Sequence, residues 1–189
     1  MQCAYCNAPE GKPHGTGCPS LLNGRQVGII TKEAYPHSKN GRSFEQGMEF
    51  QDWAVEQFNK RGIYIQLYAS KRYQFDRGES VQAIEIKLDN RCLETGRLSI
   101  EVGERTAVGR PWVLSGIYRR DNTIFYAQGN WSRIYLFDRK VLQRYHEREC
   151  GGRYEESPRE APTVRKFYIP LSTADELSIF YIECGEGQG

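Results

Sequence analysis

The segment from Ala83 to Asp89 constrains the fold more than any other part of the chain, because it has the pattern of a β-strand with two different faces. Side chains alternate across a strand, so every second residue faces the same way. The apolar face consists of Ile84, Ile86 and Leu88. The charged face consists of Glu85, Lys87 and Asp89. Buried charges are costly unless they are paired or bind a metal, so the charged face is predicted either to be open to water or to build a site.

A further acid lies just before this strand. Glu79 follows Gly78, and with Glu85 and Lys87 it gives an acid followed by Glu-x-Lys. Two carboxylates suit Mg²⁺ or Mn²⁺, which are hard cations that prefer oxygen ligands. A metal held there would polarise a scissile phosphate and lower the pKa of a bound water. A lysine two positions after the second acid would orient that water or stabilise negative charge on the phosphate.

Four stretches between about Phe44 and His146 carry a resemblance to a known family. They are Gly78-Glu79-Ser80, Ile84-Glu85-Ile86-Lys87-Leu88-Asp89, Thr95-Gly96-Arg97-Leu98-Ser99-Ile100-Glu101 and Ser115-Gly116-Ile117. In this order they resemble phage-encoded nucleases of the PD-(D/E)xK superfamily. The resemblance implies a restriction-endonuclease-like α/β fold, with a mixed central β-sheet flanked by helices. It also implies that Glu79 is the first metal acid, Glu85 the second and Lys87 the catalytic lysine, with Glu49 as an extra acid on the preceding helix.

The sequence departs from the family pattern around the first acid. Glutamate stands where aspartate is usual, no proline precedes it, and only five residues separate Glu79 from Glu85. Glu79 is therefore predicted to project from a turn, and Asp76 is a rival for its place. Asp89 and Glu101 are additional candidate ligands, ranked below the first pair.

The N-terminus carries a second candidate metal site. Cys3, Cys6, His14 and Cys18 have the spacing C-x2-C-x7-H-x3-C, which suits a tetrahedral structural Zn²⁺ site of three thiolates and one imidazole. The glycines and prolines between them favour tight turns over an apolar core, so the metal is expected to hold this segment together. The segment is also similar to short zinc knuckles of small phage proteins. The alternative is a disordered tail with chance cysteines.

Patterning along the rest of the chain predicts a mixed α/β domain with one central sheet. A helix is predicted from Ser43, where Ser43 and Gln46 form a capping box, to Gly62. Its apolar stripe is predicted to be Phe44, Met48, Val55 and Phe58. A second helix follows Asp138 and runs to about Arg148. The predicted strands are Ile63–Ala69, Ala83–Asp89, Leu98–Val102, Trp112–Arg119, Thr123–Gln128, Arg133–Phe137, Lys166–Pro170 and Ile179–Cys184. Of these, Trp112–Arg119 and Thr123–Gln128 are predicted to form a hairpin.

Length and charge limit the domain organisation and the partners. The chain has 189 residues, and its 26 basic and 24 acidic residues leave a formal net charge of only +2. Overall charge therefore gives no argument for nucleic acid. Neither an apolar run of about 20 residues nor a signal peptide is seen, so we expect no membrane partner and a cytoplasmic protein, in the host cytoplasm if it is phage-encoded. The predicted units are a zinc knuckle over 1–20, a linker over 21–42 and a nuclease-like domain over 43–184.

The sequence therefore predicts a Mg²⁺-dependent nuclease acting on nucleic acid, with DNA favoured over RNA, and a homodimer is a candidate assembly. One alternative is a non-catalytic module that binds nucleic acid or protein, such as a phage regulator or inhibitor of a host system, and retains the nuclease fold. A third interpretation is a zinc-stabilised structural or assembly protein.

Overall fold

The computed structural model describes residues 41–68, 74, 77–157 and 161–184, with the side chains of the first helix described from Glu45 onward. Its helices are α1 (Gly41–Asn59), α2 (Cys92–Thr95), α3 (Arg139–Arg148) and α4 (Leu171–Leu177), with a 3-10 helix at Gly116–Tyr118. Its strands are β1 (Ile84–Leu88), β2 (Arg97–Glu104), β3 (Val113–Leu114), β4 (Phe125–Gly129), β5 (Arg133–Asp138), β6 (Glu155–Ser157), β7 (Val164–Pro170) and β8 (Phe180–Glu183). None of the described helices is long and apolar enough to span a bilayer.

The α/β class is confirmed, but the strands form two sheets rather than the one central sheet that was predicted. The first sheet has the order β1-β4-β5-β8 and is mixed, because β1 runs parallel to β4 while the other pairs are antiparallel. The second sheet has the order β3-β2-β7-β6 and is antiparallel throughout. Pairing between distant segments divides the strands in this way, and the apolar pattern of a single strand does not encode its partners.

Two apolar clusters hold these layers together. One cluster joins α1 to the first sheet and includes Phe50, Ala54 and Ile86. The other joins the second sheet to the opposite face of the first and includes Ile100, Tyr126 and α3 residues. The first sheet is therefore covered by a helix on one face and by the second sheet on the other.

The first helix begins close to the predicted residue, but it presents a different face to the core. Phe50, Ala54 and Phe58 are fully buried at a spacing of four residues, whereas Met48 and Val55 of the predicted stripe are only half-buried. The helix ends at Asn59, and Gly62 has the positive φ of 79° that was expected after a helix end. The side chains of Ser43 and Phe44 lie outside the described residues.

The hairpin predicted between Trp112–Arg119 and Thr123–Gln128 is wrong. β3 pairs with β2, and β4 pairs with β1 and β5. Gly116 has a φ of 52°, and a Cβ added there would lie 2.2 Å from the carbonyl oxygen of Glu101. This close approach against β2 turns the chain into a 3-10 helix where a strand had been predicted.

The strand predicted at Ile63–Ala69 is wrong over its described part, which contains only an isolated bridge from Leu67 to Ser80. Side chains satisfy its backbone, since Ile65 N donates to Asn59 Oδ1 and Gln66 N donates to Gln82 Oε1. Elsewhere the predicted strands are found, and the helix after Asp138 is confirmed with its cap, because the Asp138 carboxylate accepts a hydrogen bond from Lys140 N. β6 and α4 were not predicted.

Candidate active site

The central strand of the candidate site is β1, whose two faces are as different as its sequence predicts. Ile84 and Ile86 are buried beneath α1, while Glu85 and Lys87 point to the opposite face. Glu85 has a side chain that is only 1% exposed, and that of Lys87 is 31% exposed. The charged face of this strand is therefore not a solvated surface.

One edge of β1 is covered by polar side chains instead of another strand. Ser80 Oγ accepts from Ile84 N at 2.8 Å and donates to Ile84 O at 2.9 Å. Glu79 Oε2 accepts from Ile86 N at 2.8 Å, and Gln51 Nε2 lies 3.4 Å from Ile86 O. These contacts satisfy the backbone of the edge and bring the Glu79 carboxylate beside the strand.

Glu79 reaches this position because the chain turns sharply before it. Gly78 has a φ of 90°, and a Cβ added there would lie 2.9 Å from Thr123 Oγ1. Any larger residue would be strained both by the backbone conformation and by this contact. The structure thus confirms the predicted turn at Gly78, and Glu79 projects from it.

Glu79, Glu85 and Lys87 come together as the sequence predicted. Lys87 Nζ lies 2.9 Å from Glu85 Oε1 and 3.4 Å from Glu79 Oε1. One ammonium group is therefore shared between two carboxylates. Glu85 Oε2 is buried and has no hydrogen-bond partner among the residues that the structure describes.

The electrostatics of the cluster follow from burial and from these contacts. Burial raises the pKa of Glu85 to about 7, with Lys87 opposing that rise and Glu79 adding to it. Burial by itself would lower the pKa of Lys87, but the carboxylates of Glu85 and Glu79 hold it well above its ordinary value. Lys87 therefore stays charged at neutral pH, whereas the pKa of Glu85 lies close to neutral pH.

Two residues of β4 extend the site, and the sequence analysis did not identify them. Tyr126 lies directly opposite Glu85 in the register of the two strands, and Gln128 lies opposite Lys87. Both are buried, and Gln128 Nε2 donates to Ser99 O at 2.7 Å. The Tyr126 hydroxyl and Gln128 Oε1 have no partner within the described part of the chain. Finding them required knowledge that β4 pairs with β1.

Gln51 is a third residue that the sequence analysis missed. Its Nε2 donates to Glu79 Oε2 at 3.1 Å, so it ties α1 to the first acid of the site. Seven residues make nearly two helical turns, so Gln51 shares a face with buried Phe58. The sequence could have indicated this residue, because Gln51 is polar and lies seven positions before an apolar residue of the same helix.

The structure does not bring Glu49 and Asp89 into this cluster. Glu49 is exposed on α1, and at about 100° per residue it lies almost opposite Gln51. Asp89 follows the end of β1, where Oδ2 accepts from Ser99 N at 2.8 Å and Oδ1 accepts from Arg91 N at 3.3 Å. Asp89 therefore anchors the backbone between β1 and β2.

Glu101 does lie near the cluster, on β2. It is close enough to act electrostatically on Glu85, Lys87 and Tyr126, although it is the weakest or nearly the weakest of the neighbouring charges. Asp76 and the four predicted zinc ligands, Cys3, Cys6, His14 and Cys18, lie outside the described residues. Over the residues with described positions, no group of three or more His, Cys, Asp or Glu side chains is arranged to hold a metal.

Comparison with protein-family models, with curated proteins and with solved structures gave no match to this chain.

The donor set nevertheless fits Mg²⁺ in its usual mode of binding. Mg²⁺ is commonly held by one or two carboxylates and keeps several waters, so a cluster of three acids is not required. Glu79 and Glu85 supply two carboxylates on one side of a strand, and the buried Oε2 of Glu85 has no protein partner in the described residues. The site can therefore hold a hard cation beside a lysine and a buried phenol.

Proposed function

We propose that this chain is a metal-dependent nuclease with a restriction-endonuclease-like fold of the PD-(D/E)xK type, and that DNA is its substrate. The observation that carries the proposal is the sharing of one ammonium by two carboxylates on the inner face of β1. Burying such charges costs free energy, and apolar residues of similar size would often be as stable there. The two carboxylates and the ammonium therefore indicate a chemical role rather than a contribution to stability.

Each residue has a role that its contacts support. Glu79 and Glu85 would hold Mg²⁺ or Mn²⁺, and the ion would polarise the phosphate and lower the pKa of a bound water. Lys87 donates to the attacking water or to a phosphate oxygen where negative charge develops. Gln51 fixes the orientation of the Glu79 carboxylate through its 3.1 Å hydrogen bond. Glu49 remains a candidate acid only if substrate approaches from the exposed side of α1.

The test is cleavage of plasmid DNA, linear DNA and RNA with Mg²⁺, with Mn²⁺ and with EDTA. Lys87→Ala is expected to lower the rate by at least about 100-fold, as loss of a group that stabilises transition-state charge does. The matched control is Lys60→Ala, because Lys60 also pairs with a glutamate, Glu56, but both side chains are exposed near the end of α1. Activity that persists in Lys87→Ala, or that survives EDTA, would contradict the proposal.

A non-catalytic binding module that retains the fold is the second candidate function. It is favoured by the contacts of Lys87, whose ammonium already pairs with both carboxylates of the site without a metal. The same assay separates the two, because a module would retain binding to nucleic acid or to a host protein without cleaving any substrate.

The N-terminal zinc knuckle belongs to the same proposal. Cys3, Cys6, His14 and Cys18 supply a ligand set of the size and type that structural zinc sites use. We expect the freshly purified protein to contain about one zinc per chain, since such sites bind tightly at neutral pH. Metal analysis of the full chain, beside a Cys3→Ser/Cys6→Ser variant, measures this directly, and zinc-free native protein would rule out the knuckle.

A further inference from the structure

The ammonium of Lys87 lies between the two carboxylates that are proposed to hold the metal. Nζ is 2.9 Å from Glu85 Oε1 and 3.4 Å from Glu79 Oε1, so it contacts one oxygen of each acid. A divalent cation held by the same two carboxylates would approach those oxygens to about 2.1 Å. Two cations cannot both occupy the space between these carboxylates, because they would overlap and repel each other.

We infer that Lys87 is an internal counter-ion that closes the cation site of the free protein and is displaced when a divalent metal binds. This inference rests on the metal site of the proposed function and adds a regulatory step to it. In the closed form the ammonium neutralises the buried Glu85, and in the open form the metal takes over that task. The site therefore alternates between two cations rather than between empty and filled.

The surroundings of Lys87 allow this exchange. The Lys87 side chain is 31% exposed and that of Glu85 is 1% exposed, so Lys87 lies on the solvent side of this pair. Glu79 is restrained by Ile86 N and Gln51 through Oε2, which leaves Oε1 as the oxygen facing Lys87. Glu79 is thus held by two hydrogen bonds through Oε2, and Lys87, on the more exposed side of its pair with Glu85, is the partner that has to move.

Displacement also gives Lys87 its role in the proposed reaction. An ammonium that is paired with two carboxylates has no strong reason to contact a phosphate. Once the metal occupies those carboxylates, the same ammonium is free to donate to a water or phosphate oxygen nearby. Metal binding is therefore expected to switch Lys87 from holding the acids to contacting the substrate.

The first test measures the chemical reactivity of Lys87 in the wild-type full chain. Reductive methylation at about pH 8, read by mass spectrometry, reports how readily each amine reacts in its surroundings. Because Lys87 Nζ lies between two carboxylates, 2.9 Å from Glu85 Oε1 and 3.4 Å from Glu79 Oε1, the amine is expected to react slowly without metal. Saturating Mg²⁺ is expected to raise its rate by at least about tenfold. Lys60, exposed and paired with Glu56, is the internal control and should not change.

The second test measures metal affinity by titration calorimetry with Mg²⁺ and by electron paramagnetic resonance with Mn²⁺. Lys87→Met keeps the length of the side chain and removes its charge, and Lys60→Met is the matched control. The buffer should be held at about pH 8 for every variant, because protons compete with metal for carboxylates. Lys87→Met is expected to bind either ion at least about tenfold more tightly than wild type, because no internal cation has to leave.

The outcomes separate this inference from the proposed function. If Lys87→Met fails to fold, as judged by circular dichroism, the inference is tested by the methylation rate of Lys87 in the wild-type protein. Unchanged or slower labelling of Lys87 at saturating metal overturns the inference, and so does unchanged or weaker binding by folded Lys87→Met. Absence of any metal binding overturns it as well. If metal displaces Lys87 but no nucleic acid is cleaved, the inference stands and the nuclease proposal fails.

Discussion

Among single residues, Glu85 is an acid whose environment differs greatly from water. Its carboxyl is buried against Tyr126 and next to Glu79, and it has Lys87 as its counter-ion. Folding therefore moves one acid from water into a place where its charged form is costly. This charge links the stability of the whole protein to pH.

We predict that stability falls between about pH 5 and pH 7 and that Glu85→Gln removes much of this fall. The pKa of Glu85 rises from 4.5 to about 7 on folding, so the folded state binds this proton more tightly than the unfolded state does. Glu85 contributes to the free energy of unfolding at pH values below its ordinary pKa of 4.5. This contribution, up to about 3 kcal/mol, is lost as the pH rises through about 7. Urea unfolding of both proteins at several pH values measures the difference. Equal pH dependence in the two would contradict it.

The residues that the sequence predicted at the site are those with a local signal. Glu85 and Lys87 were found because alternation within one strand is visible in the sequence, and Glu79 was found because it lies close upstream. Tyr126 and Gln128 meet them only through pairing with a strand about forty residues later, which no local pattern shows. Glu49 was named from the family resemblance and Gln51 was not considered, whereas contact with the site depends on which face of the helix a residue occupies.

At the scale of secondary-structure elements, two glycines illustrate opposite constraints. A Cβ added at Gly129 of β4 would lie 1.9 Å from Arg133 O, on the adjoining strand. A Cβ added at Gly47, within α1, would meet nothing within 4 Å. Gly129 is needed because β4 and β5 approach closely there, whereas Gly47 has no such contact and only lowers the stability of α1.

We predict that Gly129→Ala destabilises the protein by more than about 3 kcal/mol, because backbone must move to admit the methyl group. Gly47→Ala should stabilise it by about 0.5–1 kcal/mol through the lower entropy of the unfolded chain. Chemical denaturation of the two variants beside wild type measures both effects. A small change in the free energy of unfolding of Gly129→Ala would contradict the close contact between β4 and β5. A lower free energy of unfolding in Gly47→Ala would contradict the open surroundings of Gly47 in α1.

Elements with strong local signals were predicted, and those fixed by tertiary contacts were not. The cap at Asp138 and the alternation in β1 are read from neighbouring residues, and both elements are present. The predicted hairpin failed because Gly116 lies against the backbone of Glu101, a contact between segments that are distant in sequence. The α/β class could be predicted from the mixture of patterns, but the division into two sheets could not.

At the scale of the whole molecule, one apolar cluster contains residues from both sheets. Ile100 and Phe167 come from the second sheet, and Tyr126 and Phe137 from the first. Because these side chains pack together, neither sheet can lose its inner surface without exposing that of the other. The two sheets are therefore expected to unfold in a single transition.

We predict that Phe167→Ala lowers the free energy of unfolding by about 3–5 kcal/mol, as other deletions of buried aromatic rings do. Far-ultraviolet circular dichroism and tryptophan fluorescence should shift together to the same lower denaturant midpoint. Tyr154→Ala is a suitable control, because Tyr154 is 45% exposed and should cost much less. Two separate transitions would mean that the sheets are independent units.

The polar covering of β1 has a further consequence for how the protein behaves in a concentrated solution. Unpaired strand edges act as templates on which other chains add, and this is a route to aggregation and fibrils. Here the side chains of Ser80, Glu79 and Gln51 take up the hydrogen bonds that an incoming strand would use. Replacing Glu79 by a residue without an acceptor would therefore open a template for self-association at the same time as it removed a proposed metal ligand.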